Sequence, residues 1–388
     1  MRDLVAPQID YIAPQHVRDA IASLGRTEDV KFSPNNRRLA VAGFSNDRIS
    51  VFDVSIAESQ GSKRITLTGV AEISSRYLNQ PHGVDFIDEE RFVVANRHGQ
   101  ACIFSLPAGA TGCHELEPLA VIMSDEISTP GSVAVLRNGR NSCDALICNN
   151  YVNRVTRHRL DLAAANSTRN GVLLGKWLDI PDSICVSRDT RWIAVSNHNN
   201  HSIFLYENNP SLNASCRPDG ILRSYYPHGL RFTSDGQFIF SASAGSPHIS
   251  VYERDGGAWR GVRNPLTSFR VLNKEDFLRG QDGRRADGGA KGIDIDNATN
   301  VLVTTCEVQP LAFFDLAAIL EGVSSLQGKV NRVTNSNDIP AKGRLRIQSA
   351  VQVGFELYLR QTTAAAIRWV LTNVPVLNWL RNRITGLS

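Results

Sequence analysis

The chain has 388 residues, of which 42% are apolar and 21% charged, a composition typical of folded globular proteins. This excludes global disorder, a collagen-like fibre and a polytopic membrane protein. The net charge of +4 comes from residues 344–388, which hold six arginines and one acid. The rest of the chain is near neutral, and we therefore expect no nucleic-acid surface.

Cysteine usage and the first residues bear on location. The seven cysteines are scattered, several of them within apolar runs, and no CxxC pair occurs. This pattern predicts buried free thiols rather than a disulfide framework or a zinc knuckle. The first 15 residues contain no apolar signal core. We therefore expect a cytoplasmic protein.

Residues 1–26 are predicted to form an N-terminal extension. Val5–Tyr11 resembles an extended segment that could help to close a ring of strands. Residues 14–24 are predicted to form a short helix, which begins at Pro14 and ends at Gly25.

Six repeats organise the chain from residue 27 onward. Each repeat has a short apolar strand, a polar turn, a second apolar run, a polar loop and a third strand that ends near an aromatic residue. The aligned apolar positions lie 46 to 63 residues apart. They are Val30, Val84, Val133, Ile184, Leu230 and Ile293.

A fourth, outer strand is predicted in five of the repeats. The candidates are Ile65–Val70, Leu119–Met123, Val172–Trp177, Ile221–Tyr225 and Ser268–Leu272. Four antiparallel strands repeated about every 50 residues describe a β-propeller blade, so we expect an all-β, six-bladed propeller over residues 27–343. An irregular β-sandwich does not explain six copies of one pattern. The insertion Arg254–Ala290, rich in Gly, Arg and Asp, is predicted to be a long loop.

The repeats resemble those of a known group of propellers. Pro-His-Gly-Val-Asp-Phe at residues 81–86 and Pro-Asp-Ser-Ile-Cys-Val at 181–186 each precede a second strand that ends in Asn. These features are similar to the gluconolactonase, YVTN and NHL-repeat group, over residues 27–320. The resemblance implies a six-bladed propeller, a fold that serves both enzymes and scaffolds. The Gly-His and Trp-Asp pairs of WD repeats are absent from the sequence.

One position in each repeat is expected at the mouth of the central channel. It lies two residues before the apolar position, and the six residues are Glu28, His82, Gly131, Asp182, His228 and Lys291. Blades spaced about 60° apart would set Glu28 opposite Asp182, and His82 opposite His228. Two carboxylates flanked by two imidazoles predict a divalent-cation or acid–base site.

The resemblance implies roles for particular residues. Gluconolactonase-like propellers bind a divalent metal through a Glu of the first blade, Asn residues of middle blades and an Asp in a Pro-Asp turn. The matching residues here are Glu28, Asn149 or Asn150, and Asp182. Calcium, manganese and zinc are the candidate ions.

The other mouth residues are candidates for catalysis and binding. His82 or His228 would act as the general base, and Lys291 would neutralise Asp182 or hold an anionic substrate. The loops after the second strands supply a further polar face. Its candidate substrate contacts are Asn96, His98, Asn197, His198 and His201. Asparagine is also the default residue of tight turns, which predicts a structural role for many of these side chains.

Residues 344–388 are predicted to form a basic amphipathic helical segment. Ser349–Asn373 has a helical apolar stripe, and Pro375 breaks it. Tryptophan and arginine beside an apolar face suit a peripheral membrane or protein contact, whereas intramolecular packing is the alternative.

Two functions follow from these features. The first is a metal-assisted hydrolase of a small lactone or ester, which binds its ligand at the channel mouth. The second is a non-catalytic scaffold, which binds a protein or membrane partner through the Asn/His-rich face and the C-terminal segment.

Overall fold

The computed structural model describes residues 4–59, 61–139, 141–164, 166–284 and 287–323. Six separate sheets of at least four strands follow one another around a ring, and this confirms the predicted six-bladed propeller. The chain divides into two units, Met1–Val323 and Ser324–Ser388. The expected boundary at residue 343 and the predicted C-terminal helix lie outside the described residues.

Each blade is a four-stranded antiparallel sheet, numbered here in chain order from its innermost strand outward. Blade 1 consists of Thr27–Phe32, Arg38–Gly43, Arg48–Ser59 and Ser62–Ser74. Blade 2 consists of Pro81–Phe86, Arg91–Asn96, Ala101–Ser105 and Ala120–Ile122. Blade 3 consists of Pro130–Arg137, Ser142–Asn149, Arg154–Asp161 and Asn166–Leu174. Blades 4 and 5 consist of Pro181–Val186, Trp192–Asn197, Ser202–Glu207 and Gly220–Arg223; and Pro227–Phe232, Phe238–Ser243, His248–Glu253 and Thr267–Arg270. Blade 6 contributes Gly292–Asp296, Val301–Thr305 and Ala312–Asp315. The five outer strands predicted from the sequence are thereby confirmed.

The N-terminal extension closes the ring. Gln8–Ile9 pairs antiparallel with Ala312–Asp315 and is the fourth strand of blade 6. Leu4–Val5 runs parallel to the outer strand of blade 5, and Tyr11–Ile12 runs parallel to the outer strand of blade 1. One short segment therefore joins the last blades to the first, as expected for Val5–Tyr11. Two further parallel strands, Gly112–Glu115 and Gly261–Arg263, extend blades 1 and 4.

Short helices lie outside the sheets. The predicted N-terminal helix is confirmed as Gln15–Ala22, with Pro14 as its N-cap residue. The loop predicted for Arg254–Ala290 is wrong in part, because it contains the helix Lys274–Gln281. The Asn273 side chain accepts a hydrogen bond from the Asp276 N–H, and two acids in the first turn favour helix formation there. Residues 316–323 are also helical.

The apolar core is divided into six clusters, one in the seam between each pair of neighbouring blades. In the seam between blades 5 and 6, for example, Phe240 packs with Ile293 and Leu302. The helix Gln15–Ala22 buries Val17 in the closing seam between blades 6 and 1. Burial of these alternating side chains stabilises the ring, and it leaves the innermost strands free to line a polar channel.

Carboxylates join neighbouring innermost strands around the channel. Asp29 of blade 1 accepts the Val84 N–H of blade 2 at 3.1 Å. Asp85 of blade 2 accepts the Val135 N–H of blade 3 at 2.8 Å. Asp294 of blade 6 accepts an N–H of blade 1 in the same way. These bonds satisfy backbone donors that the blade's own ladder leaves open.

The cysteines are free thiols in the structure, and five of the seven are buried. Burial raises the pKa of the Cys102 thiol to about 12, which makes it unreactive at neutral pH. Within the described ranges, no helix is long and apolar enough to cross a membrane.

Candidate metal and acid–base site at the channel mouth

A repeated β-bulge positions the mouth residues. In blades 1 to 5 the ladder between the first and second strands shifts register across the mouth residue. A residue at a bulge leaves the ladder, and its side chain is turned away from the regular strand direction. Glu28, His82, Asp182, His228 and Lys291 are all buried, with 1 to 7% of their surface exposed.

The bulges bring one carboxylate and two imidazoles together. Glu28 Oε2 lies 3.6 Å from His82 Nε2 and 3.3 Å from His228 Nε2. One ligand atom from each of the three residues lies within 4.8 Å of the other two. The two imidazole rings are stacked, with their centroids 5.6 Å apart and an interplanar angle of 25°. We call Glu28, His82 and His228 the triad.

Backbone carbonyls of neighbouring blades orient both imidazoles. His82 Nδ1 lies 2.5 Å from the Gly131 carbonyl oxygen, and His228 Nδ1 lies 3.2 Å from the Lys291 carbonyl oxygen. A carbonyl only accepts, so each neutral ring carries its proton on Nδ1. Each Nε2 then keeps its lone pair, as in metal-bound histidines, and His82 Nε2 uses it to accept a hydrogen bond from Arg97 Nη2.

The dimensions of the triad fit a transition-metal ion. Metal bonds of about 2.1 Å in a tetrahedral site separate the donor atoms by roughly 3.4 Å. The two measured separations from Glu28 Oε2 bracket this value. Within the described ranges, Oε2 is also a buried atom without a hydrogen-bond partner. The triad could therefore hold a metal ion, and its two imidazoles favour zinc over calcium or manganese.

Cations surround the other oxygen of Glu28. Lys291 Nζ lies 3.3 Å from Glu28 Oε1 and 2.8 Å from Asp287 Oδ1, and Arg26 Nε donates to Glu28 Oε1 at 2.5 Å. Burial alone would raise the pKa of Glu28, but Lys291 and the other cationic neighbours hold it well below its usual range. Glu28 is therefore ionised. Lys291 pairs with Glu28 and Asp287. The sequence had suggested Asp182 as its partner instead.

Asp182 is the second carboxylate of the mouth. Its Oδ2 lies 3.2 Å from His228 Nε2 and 3.5 Å from His198 Nδ1. Its Oδ1 accepts a hydrogen bond of 2.5 Å from Asn150 Nδ2. Burial opposes its ionisation, yet the neighbouring imidazoles, His228 above all, and the Arg97 guanidinium hold its pKa below the usual range. The carboxylate is therefore ionised and poised to accept hydrogen bonds.

The pKa values of the two stacked imidazoles are shifted in opposite directions. Burial and the charge of Arg97, whose Nη2 contacts His82 Nε2, lower the pKa of His82 to about 3. Burial also disfavours a proton on His228, but Asp182 and Glu28 raise its pKa above the usual value. In the metal-free site, His82 is neutral and His228 takes up the first proton.

Three of the predicted site residues are bonded within their own blades. Asn96, Asn149 and Asn197 are buried at the ends of second strands. Each Oδ1 accepts a backbone N–H from the loop just before its blade's innermost strand. The donors are Asn79 at 3.1 Å, Ser128 at 2.8 Å and Asp179 at 3.1 Å. The amide groups also donate within the blade. The repeated asparagine thus holds the loop that leads to the mouth residue.

Asn150 fills the place that Gly131 leaves at the mouth of blade 3. A Cβ atom on Gly131 would lie 1.8 Å from Asn150 Oδ1. The absence of a side chain at Gly131 therefore allows Asn150 to reach Asp182. Of the two asparagines proposed from the sequence, Asn150 is the one that contacts another mouth residue.

The remaining candidates lie at the rim of the mouth. The ring centroid of His198 lies 5.1 Å from that of Tyr226. His201 Nδ1 accepts the Tyr226 N–H at 3.2 Å, and its ring stacks on Tyr225. His98 is exposed.

Sequence reasoning missed Arg26 and Asp287 as members of the site. Arg26 stands two residues before Glu28, and Asp287 stands four residues before Lys291. Opposite charges at these short spacings were the available signal. The loop conformations that bring Arg26 to Glu28 and Asp287 to Lys291 cannot be predicted from the pattern of strands.

Comparisons with known proteins give the fold and no specific family. No family model matches the sequence, and no curated protein matches it. A functionally unknown protein from Desulfotomaculum acetoxidans DSM 771 is 14% identical, with a TM-score of 0.50 over 75% of this chain and 83% of that one. The β-propeller domain of Cps50 (Swd1) from Myceliophteria thermophila is 10% identical, with a TM-score of 0.46 over 74% of this chain and 83% of that one. At such identities, likeness informs only about fold.

Proposed function

We propose that this propeller is a metal-dependent hydrolase of small lactones or related esters, with its metal held by the triad. The observation that carries the proposal is the position of Glu28 Oε2. It is buried without a hydrogen-bond partner in the described part of the chain, and it faces two Nε2 atoms at 3.3 and 3.6 Å. The sequence resemblance to gluconolactonase-like propellers supports the choice of substrate class.

We assign both histidines to the metal as ligands rather than to the role of general base. A bound divalent ion would polarise a carbonyl and lower the pKa of a bound water molecule. Glu28 and the two imidazoles would hold the ion, because both Nδ1 atoms are engaged by carbonyls and both Nε2 atoms lie 3.3 to 3.6 Å from Oε2. Asn149 would have a structural part only.

His198 and Asp182 are the best-placed groups for proton transfer. His198 Nδ1 is buried, has no hydrogen-bond partner in the described ranges, and lies 3.5 Å from Asp182 Oδ2. Burial and the charge of His228 lower the pKa of His198, although Asp182 opposes this. His198 is therefore neutral at pH 7 and can accept a proton from water. Asp182, ionised and held by Asn150, would orient that water.

Metal content and hydrolysis test the proposal together. Purified, tag-free protein is loaded with zinc or manganese, dialysed, and assayed for metal and for base uptake with five- and six-membered lactones and simple esters. We expect about one ion per chain and hydrolysis that depends on it. Glu28→Gln should lose both properties. His16→Ala, which removes an exposed histidine of the N-terminal helix, should keep both. Metal binding without any lactone or ester turnover would contradict the hydrolase.

The role of His198 has a separate expected result. His198→Ala should keep its metal and lose roughly 100-fold or more in kcat, since positioned general bases contribute about 10²–10⁴-fold. Unchanged kcat in a metal-loaded His198→Ala variant would remove His198 from the mechanism.

A non-catalytic scaffold is the second candidate, and the ion pairing at the mouth favours it. Three carboxylates, Glu28, Asp182 and Asp287, are each paired with a cation from the set Arg26, Arg97 and Lys291, and the half-exposed Arg284 also pairs with Asp287. A network in which every carboxylate is paired can serve to hold innermost strands together without any ligand. In that case Asp182→Ala should lower the stability of the fold but leave partner binding by the folded protein intact. A partner or membrane would then be sought through residues 344–388, by vesicle flotation of the full chain against residues 1–343.

A further inference from the structure

Arg97 occupies a coordination position of the triad. Its Nη2 donates to His82 Nε2, the same atom that faces Glu28. The side chain is only 9% exposed, and Nη2 also lies 3.7 Å from Asp182 Oδ1. The guanidinium carbon lies 5.3 Å from the centre of the Tyr151 ring. Its Nη1 is buried and has no hydrogen-bond partner in the described ranges.

A metal ion and Arg97 compete for one lone pair. The Nδ1 of His82 is engaged by the Gly131 carbonyl, so Nε2 offers the ring's single acceptor site. That site can accept a hydrogen bond from Arg97 or bind a metal ion, but it cannot do both. Metal binding therefore takes an acceptor away from a buried guanidinium that already has an unpartnered Nη1. A buried cation without acceptors is costly.

The charge count points to the compensating group. The metal-free mouth pairs three carboxylates with Arg26, Arg97 and Lys291, and Arg284, which is 48% exposed, adds a fourth permanent cation beside Asp287. A divalent ion on neutral imidazoles leaves an excess of at least two positive charges in a largely buried place. An anionic ligand would remove part of that excess, and a guanidinium is well suited to bind a carboxylate through two parallel N–H bonds.

We propose that metal binding at the triad frees Arg97 from His82 to hold the carboxylate of the ligand, so that metal and carboxylate bind cooperatively. The inference rests on the proposed function, because ring opening of a lactone produces a carboxylate beside the metal. Arg97 is then a binding and positioning residue, and the product acid stabilises the metal-loaded form. Linkage requires that each ligand increase the affinity for the other by the same factor.

The test measures zinc affinity and needs no turnover. Zinc is titrated into the full-length, metal-free protein against a chromophoric chelator, at one ionic strength, in chloride, in propionate and in sulfate. We expect propionate to tighten zinc binding at least about five-fold, the lower end of typical couplings. Sulfate, a tetrahedral dianion, should have a smaller effect. Chelator alone in each salt provides the reference.

Variants of two arginines assign the effect. Arg97→Met removes the competing donor and the positive charge, so zinc should bind more tightly in chloride than it does to the wild type. The propionate effect should disappear in the same variant. Arg76→Gln is the matched control, since Arg76 is 72% exposed on the surface. This control should retain the wild-type response.

The outcomes separate this inference from the proposed function. Equal zinc affinity in chloride and propionate for the wild type would overturn the inference, while lactone hydrolysis by the same sample would leave the function standing. A larger effect of sulfate than of propionate would overturn the choice of a carboxylate. Failure of the wild type to bind zinc would overturn both. Because the first comparison uses wild-type protein, it holds even if Arg97→Met does not fold.

Discussion

His82 and His228 lie face to face at the channel mouth, with ring centroids 5.6 Å apart, yet their proton affinities are shifted in opposite directions. Arg97 contacts one ring, whereas two carboxylates lie beside the other. The same pair of nitrogens faces Glu28 Oε2. A metal ion held by the proposed triad would therefore take the place of a proton on His228.

Zinc affinity should therefore rise with pH across the weakly acidic range. The pKa of His228 is raised, because Asp182 and Glu28 outweigh the effect of burial, and zinc must displace that proton. Below the raised pKa, each pH unit should increase the apparent affinity about tenfold; above it, the affinity should level off. Neutral His82 adds no further pH dependence in this range.

Chelator competition at a series of pH values checks this expectation. Asp182→Asn should shift the levelling-off point to lower pH, since it removes the carboxylate that contributes most to raising the pKa of His228. His201→Ala, outside the triad, should leave the curve in place. A flat wild-type profile between pH about 5.5 and 8 would show that no such proton is displaced.

Gly131→Ala should disturb the mouth without touching any charged residue. The new Cβ would lie 1.8 Å from Asn150 Oδ1, so Asn150 must move and its bond to Asp182 is lost. We expect a loss of about 1–3 kcal/mol in the free energy of unfolding, as for other overpacked sites. The double variant Gly131→Ala with Asn150→Ala should recover much of it.

Urea unfolding of Gly131→Ala, the double variant and Gly171→Ala, each compared with the wild type, measures the change in the free energy of unfolding. Gly171→Ala is the control, because a Cβ there meets no atom within 4 Å. Equal stability of Gly131→Ala and Gly171→Ala would contradict the packing described for Asn150.

Deletion of residues 1–12 should open the ring. It removes the strand Gln8–Ile9, which completes blade 6, together with the two parallel strands on blades 5 and 1. Buried Ala6 and the half-buried Ile9 and Tyr11 leave their seams. We expect the free energy of unfolding to fall by about 3 kcal/mol or more. Ile12→Ala, at a residue that is 57% exposed, should have little effect. A deletion variant as stable as the wild type would refute this mode of closure.

The repeat made the fold predictable. Six apolar anchors with one spacing rule defined the innermost strands. The residue two positions earlier is a buried polar or charged side chain in five blades, whereas in blade 3 Gly131 leaves its place to Asn150. The rule worked because the bulge recurs at the same place in blades 1 to 5. Closure of the ring could be predicted only as an extended segment at Val5–Tyr11. Its strand partners could not be predicted, since pairing between residues far apart in the chain leaves no local sequence pattern.

The roles within the site were harder to predict. The choice between Asn149 and Asn150 depends on side-chain direction at a strand end, which no spacing specifies. Arg26 and Asp287 reach Glu28 and Lys291 through loop geometry. The helix Lys274–Gln281 had a local signal, an Asn followed by two acids, which the Gly- and Arg-rich composition of the insertion obscured.

Anomalous diffraction from crystals of the zinc-loaded protein shows directly whether the triad binds a metal ion. We expect one strong zinc peak bonded to Glu28 Oε2, His82 Nε2 and His228 Nε2, with Arg97 moved away from His82. The same data from Glu28→Gln crystals should show no peak at this place. A zinc ion bound instead by Asp182 and the mid-blade asparagines, or no zinc at the mouth at all, would rule out a metal site at the triad.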